Sequence, residues 1–424
     1  VFKPIFVHLC LPRPVESEGH SSGIAPADGT GVNLWLNSYK FATIFACCKI
    51  PLIFDKRTKM IIKGSKKFDR KIKSILIIQL GDIGDVVWAT PTFRAVKEAY
   101  PQANVSVLLR ESFGSLLEAD PNIHKIFEVK RYRGNLFKKA IKQLSFIRAL
   151  RQERFDLVFD LRSDDRGAYM AFLSGAPIRA SIVYHYIPWR NKLFSHLADP
   201  YPVDKTVCTA AEQSLRVVRE FGVDSQDDAP KLWASEKIHN RVKQLFDKEG
   251  IDDNRIITLN PFSRWKYKEC GYDKWVEIID WLWEKYEIAT IIIGAIEEKE
   301  QSEYMVQRCC GRVFNLTGKT TLGELAGVLN HSCLHLGVDS AAPHIAAAVG
   351  IPTITIYGPS DWRDWAPQGN MHRVIIPDRV CAPCQQKGCD GNGISKCLEE
   401  LKVNKLKEII RESLNNCLHK TDIK

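Results

Sequence analysis

The chain has 424 residues, 45% apolar and 26% charged, with 13 cysteines and a formal charge of +10. That length suits two domains of ordinary size, and the composition excludes a wholly disordered, collagen-like or disulfide-dense chain. No apolar run reaches the roughly 18 residues that a membrane-spanning helix needs.

Residues 1–72 hold 12 Lys and Arg against 5 Asp and Glu, and 10 basic residues fall between Lys49 and Lys73. Such a block suits an anionic surface, whether acidic lipid, acidic glycan or nucleic acid; a solvated basic linker is the other reading. Residues 1–33 are rich in Pro, Gly and Ser and have no period. They read as disordered, or as lying upstream of the true start, and they lack the charged, apolar, small-residue order of a secretory signal. Residues 34–54 (LWLNSYKFATIFACCKIPLIF) are apolar but broken by Lys40, Lys49 and Pro51. They fit either an amphipathic foot on a membrane surface or a helix packed on the protein body. Residues 1–72 are therefore expected to form a basic, largely disordered extension.

From Lys73 the texture changes. Strand-like runs at Ser74–Leu80, Val105–Leu109, Ile126–Val129 and Leu157–Leu161 alternate with helical segments, the longest being Leu136–Glu153. A second series follows at Ile256–Asn260, Ala289–Ile293, Val313–Leu316, Cys333–Leu336 and Thr353–Tyr357. Apolar strands spaced by helices predict parallel βαβ units with both sheet faces covered. The expected class is α/β, with two doubly wound domains at 73–230 and 231–424. The joint is expected between Phe221 and Lys237, where Gly222, Asp227, Asp228 and Pro230 cluster. A cleft between the carboxyl ends of two such sheets binds ligands.

Gly81-Asp82-Ile83-Gly84-Asp85 follows the first strand directly. Its two glycines permit a sharp strand-to-helix turn. One carboxylate can cap the helix start, which leaves the other available as a general base. Thr90-Pro91 reads as an N-cap and first helical residue, and Tyr100-Pro101 as the end of that helix. An acid in this turn would repel a pyrophosphate, so the turn is not a dinucleotide fingerprint.

Leu336-Gly337-Val338-Asp339-Ser340-Ala341-Ala342-Pro343-His344 ends a later strand. Asp339 or Ser340 can cap the next helix, Pro343 is tolerated in its first turn, and Gly350 and Pro352 stop it. A helix start with such short side chains at a cleft suits a diphosphate, with His344 beside it. Asn260-Pro261-Phe262-Ser263, followed by Lys266, Lys268 and Trp275, places cations in a loop after another strand. A lysine there can neutralise charge on a departing phosphate. Cys381, Cys384, Cys389 and Cys397 form a further cluster. It fits a structural zinc or iron–sulfur site, two disulfides, or four reduced thiols. No metalloprotease, serine-hydrolase or P-loop signature occurs.

Ile75–Pro101 and Gly337–Pro359, with Trp365-Ala366-Pro367, resemble the ADP-heptose:lipopolysaccharide heptosyltransferases of glycosyltransferase family 9. The resemblance runs from about Lys73 to about Leu414. It implies a GT-B fold of two Rossmann-like domains, with the acceptor on the first and the nucleotide-sugar on the second. It also implies inverting transfer of a heptose from a donor such as ADP-heptose, with no catalytic metal and no cofactor. By the same resemblance Asp85 matches the catalytic aspartate. Asp339, Ser340, Ala341 and His344 match the donor loop, while Ser263 and Lys268 match donor-side positions. Ala341 stands where the family carries glycine, and Cys270 and Gly271 where it carries Trp and Pro. Implied partners are the nucleotide-sugar, a lipid-linked glycan acceptor and an anionic membrane touched peripherally from the cytoplasmic side, with no nucleic acid. A non-catalytic nucleotide-sugar-binding scaffold of the same fold is the alternative.

Overall fold

A computed structural model describes residues 61–62, 68, 71–130, 132, 135–162, 164–183, 188–198, 210–252 and 255–421. The apolar segment 34–54 and most of the basic block lie outside these residues. Among those described, no helix is long and apolar enough to cross a membrane.

The first unit is built on seven strands: β1 (Ile61–Ile62), β2 (Ser74–Ile78), β3 (Asn104–Arg110), β4 (Lys125–Val129), β5 (Leu157–Asp160), β6 (Ile178–Ile182) and β7 (His196–Ala198). Their spatial order is β1-β7-β6-β5-β2-β3-β4. The second unit holds β8 (Ile256–Asn260), β9 (Ala289–Ile292), β10 (Val313–Asn315), β11 (Leu334–Val338), β12 (Thr353–Ile356) and β13 (His372–Ile375), ordered β10-β9-β8-β11-β12-β13. Every pairing is parallel, as expected for strands joined by helical crossovers. Counted in chain order from β2 and from β8, both sheets follow the Rossmann order, which reverses between β2 and β5 and again between β8 and β11. With its two Rossmann-like units the fold is GT-B.

The central strands are buried on both faces because they are almost wholly apolar. Ile77 lies in register with Val107 on one side and Phe159 on the other. Strands β6, β7 and β13 carry Arg179, His196, His372 and Arg373, so no apolar run announced them. Strand β1 adds to the sheet edge from within the stretch expected to be an extension, and Phe68 stacks on Phe221 at 5.6 Å.

Ile75 and Ile77 point into an apolar cluster that continues into the second unit through Ile238, Val242, Ala342 and Ile345. Leu76 and Ile78 point to a separate cluster on the opposite sheet face, with Leu108 and Leu150. The units also meet where the helix Leu322–Asn330 crosses the turn Gly114–Leu116. A Cβ on Gly323 would stand 2.4 Å from the Ser115 carbonyl oxygen, so only glycine permits that approach.

Candidate active site

The two places where strand order reverses carry the candidate residues. In the first sheet, β2 ends in the Gly81–Asp85 turn and β5 ends beside Arg162. The short helix Ile83–Trp88 starts at once, with Asp82 at its N-cap position. Asp85, one turn in, folds its carboxylate back and accepts the Asp82 backbone N–H at 2.7 Å. That carboxylate lies over Gly81, where a Cβ would come within 2.1 Å of its Oδ2. Arg162 forms an ion pair with the same carboxylate oxygen. Its own backbone N–H donates to Asp160 at the end of β5 (3.3 Å), which fixes the start of the guanidinium arm.

Burial lifts the Asp85 carboxyl above the ordinary carboxylate range, and the Arg162 guanidinium pulls the other way. Asp82 is exposed and pairs with Arg110 at 2.5 Å. Arg110 and Arg166 both donate to the Leu80 carbonyl, at 2.8 and 3.1 Å. Three guanidinium groups therefore ring the acidic turn. Thr90 does not cap its helix: Ala89 holds that position, and the Thr90 hydroxyl donates to the Val87 carbonyl at 2.8 Å. The helix before it ends immediately upstream and leaves no extended residue for a conventional cap.

In the second sheet, β8 ends in Asn260–Ser263 and β11 in Asp339–Ser340. Lys268 Nζ pairs with Asp339 Oδ2 at 2.6 Å. The Ser263 hydroxyl donates to the Asp339 carbonyl at 3.2 Å. Ser340 sits at the N-cap of the helix Ala341–Ala348 without capping it; its Oγ accepts from Asn260 Nδ2 at 3.2 Å instead. The structure thus joins Ser263, Lys268, Asp339, Ser340 and Ala341 into one connected patch at a helix start. Glu269, which the sequence reading passed over, accepts the Ser263 backbone N–H at 2.7 Å and the Tyr272 hydroxyl at 2.8 Å, holding the loop in shape. Cys270 is buried in the second unit's core, and burial pushes its thiol up to about 12.

His344 links the two patches. Its ring packs edge-on against Trp88 at 4.6 Å, and a methyl at Gly84 would stand 3.5 Å from its Cδ2. Trp88 in turn stacks on Trp365 at 5.1 Å. Burial lowers the His344 pKa to about 4, so the ring is neutral near pH 7. Its Nδ1 is buried without a hydrogen-bond partner, which suits a group that meets a ligand. Arg264 of the second unit also reaches Asp82, at 3.4 Å. Arg162 and Arg264 were legible only as cations following strands, a weak signal until the sheet order is known.

At the cysteine cluster, for which the spacing left zinc, iron–sulfur, disulfides or reduced thiols open, the structure shows four unbridged thiols, Cys381, Cys384, Cys389 and Cys397. Burial, and after it the nearby Cys381, Cys384 and Cys389, raises the Cys397 pKa, and among the described residues no group of three or more ligating side chains is placed to hold a metal. Cys397 is buried with Leu398 in the apolar core, while Cys381 is exposed. The segment braces the site instead: Ser395 donates to the Tyr267 carbonyl at 2.6 Å, beside Lys268.

A family model described as glycosyltransferase family 9 (heptosyltransferase) matches residues 143–394. The lipopolysaccharide heptosyltransferase 3 of Escherichia coli is 29% identical over 291 residues, covering 67% of this chain and 84% of that protein. A solved family 9 glycosyltransferase from Veillonella parvula superposes with a TM-score of 0.70 at 20% identity, covering 83% of this chain and all of that one. The E. coli ADP-heptose lipopolysaccharide heptosyltransferase II superposes with a TM-score of 0.66 at 18% identity, covering 82% of this chain and 99% of that one.

Proposed function

Because the chain belongs to glycosyltransferase family 9, the heptosyltransferase family, we propose that it moves a heptose from ADP-heptose to a hydroxyl of a lipopolysaccharide-core acceptor, with inversion. Asp85 is the general base. It takes the proton of the acceptor hydroxyl as that oxygen bonds to the anomeric carbon, and the bond from that carbon to the diphosphate breaks on the opposite face. Negative charge grows on the departing diphosphate. The free N–H groups at the Ala341–Ala348 helix start and the Lys268 ammonium counter it, with Asp339 holding the lysine in place. His344 offers Nδ1 to the donor as a neutral ring. Arg162 keeps Asp85 ionised and aimed, and Asp82 anchors the turn through Arg110. The acceptor is a lipid-linked glycan met at the cytoplasmic face of the inner membrane.

The observation that carries this reading is the close approach of Gly84, beside Asp85, to His344 in the helix that begins at Ala341. It supports a base and a donor site facing each other across one cleft. Mass spectrometry of products from ADP-heptose and a panel of core acceptors, with NMR of the new anomeric centre, tests it. One added heptose with inverted configuration is expected. Calorimetric binding of ADP-heptose without transfer to any acceptor would favour the non-catalytic scaffold.

A further inference from the structure

The helix Leu136–Gln152 (LFKKAIKQLSFIRALRQ) carries Lys138, Lys139, Lys142, Arg148 and Arg151 and no acidic residue. Its C-terminal half is anchored, because Ile147 and Leu150 are buried in the first unit's core. Its N-terminal half leaves large apolar side chains in solvent: Phe137 is 71% exposed, Ile141 51% and Leu144 45%. Those are three of the ten large exposed apolar side chains among the described residues, and they fall one helical turn apart on one face. Lys138, Lys142, Arg148 and Arg151 share the exposed surface with them. A hollow of about 520 Å³ on the same side is lined by Leu144, Ile147, Arg148, Arg151, Gln152 and Arg154.

Exposed apolar side chains interleaved with long cations, with no anion on the helix, match the chemistry of an anionic lipid surface. Rings and branched chains enter the headgroup boundary while lysine and arginine stems reach the phosphates. A solvated charged face needs no phenylalanine, isoleucine and leucine in water, and an ordinary helix of this fold would bury them.

The position fits as well. Strand β4 ends at Val129, in register with Arg110, whose guanidinium pairs with Asp82. The helix begins seven residues later at that same carboxyl rim. Leu150 packs in the cluster on the sheet face opposite the one that continues into the second unit, so a surface met there leaves the donor half clear. We propose that the exposed face of the helix Leu136–Gln152 seats on an anionic bilayer and presents the Asp85 rim to acceptors carried in that bilayer. The purpose of that docking rests on the lipid-linked acceptor proposed above; the binding itself does not.

Co-sedimentation of the full chain with vesicles of phosphatidylglycerol and phosphatidylethanolamine, against vesicles of phosphatidylcholine alone, tests the proposal. Two triple variants are compared with the native chain: Phe137→Ser, Ile141→Ser, Leu144→Ser, and Lys138→Glu, Lys142→Glu, Arg148→Glu. Thermal melts and transfer to a deacylated, soluble acceptor check that each variant is folded. The native chain is expected to bind the anionic vesicles, less so at high salt, and each variant to bind at least about tenfold more weakly. Native-strength binding by the folded variants would move any docking to another part of the chain and overturn the proposal. So would failure of the native chain to bind, or self-association abolished by the same substitutions in place of vesicle binding. Vesicle binding without any sugar transfer would count against the proposed function alone.

Discussion

Asp85 is pulled in two directions, and the balance has a measurable consequence. Burial raises its pKa and Arg162 lowers it. The general base proposed here works when deprotonated, so that proposal predicts a rate that falls as pH falls through the Asp85 pKa. Removing the guanidinium removes a lowering influence, and in an Arg162→Ala variant the acid limb of kcat/KM against pH should therefore move to higher pH. An unmoved limb, or one moved to lower pH, would separate Arg162 from the titration of the base. At His344 the pKa is displaced the other way, downward. Its folded pKa of about 4 lies below the ordinary value of 6.5, so the unfolded chain binds the extra proton first. The stability this neutral ring contributes is complete above pH 6.5 and drains away as pH falls toward 4. Urea titrations of His344→Gln and the native chain should differ in their loss over that window by up to about 3 kcal/mol, with the variant losing less.

Within the elements, the Gly81–Asp85 turn works because nothing stands between Gly81 and the carboxylate. Gly81→Ala would place a methyl 2.1 Å from Asp85 Oδ2 and drive the side chain out of position. A fall in kcat of about tenfold or more is expected, read in a steady-state assay alongside a melt to check the fold. This turn was legible in the sequence because an apolar strand, two glycines and two carboxylates are local signals. The partition of the carboxylates was less so: Asp85 both faces the cleft and accepts the turn's own N–H, while Asp82 looks outward to Arg110. Strands β6, β7 and β13 were not legible, because short strands bearing His and Arg look like loops until neighbours pair with them. The Ser340 side chain could be read as a cap from its position, but Asn260, eighty residues away, takes its oxygen. For the cysteines, spacing along the chain said nothing of depth, which sends Cys397 inward and Cys381 outward.

Across the whole molecule, the two sheets are tied by one continuous apolar cluster and by close backbone contact at Gly323. Gly323→Ala should cost about 1–3 kcal/mol in urea titration, because the Ser115 carbonyl at 2.4 Å is backbone and cannot rotate away. The same contact surface brings Gly84 and Trp88 of the first unit against His344 of the second, which sets the acidic turn opposite the helix start that begins at Ala341. Neither motif predicted that juxtaposition alone; it rests on contacts between the units, His344 against Gly84 and Trp88 and Arg264 against Asp82. The most direct measurement is turnover of an Asp85→Asn variant with ADP-heptose affinity determined in parallel by calorimetry. The account predicts a kcat at least about a hundredfold lower with donor affinity changed less than about threefold. Turnover near that of the native chain would contradict it.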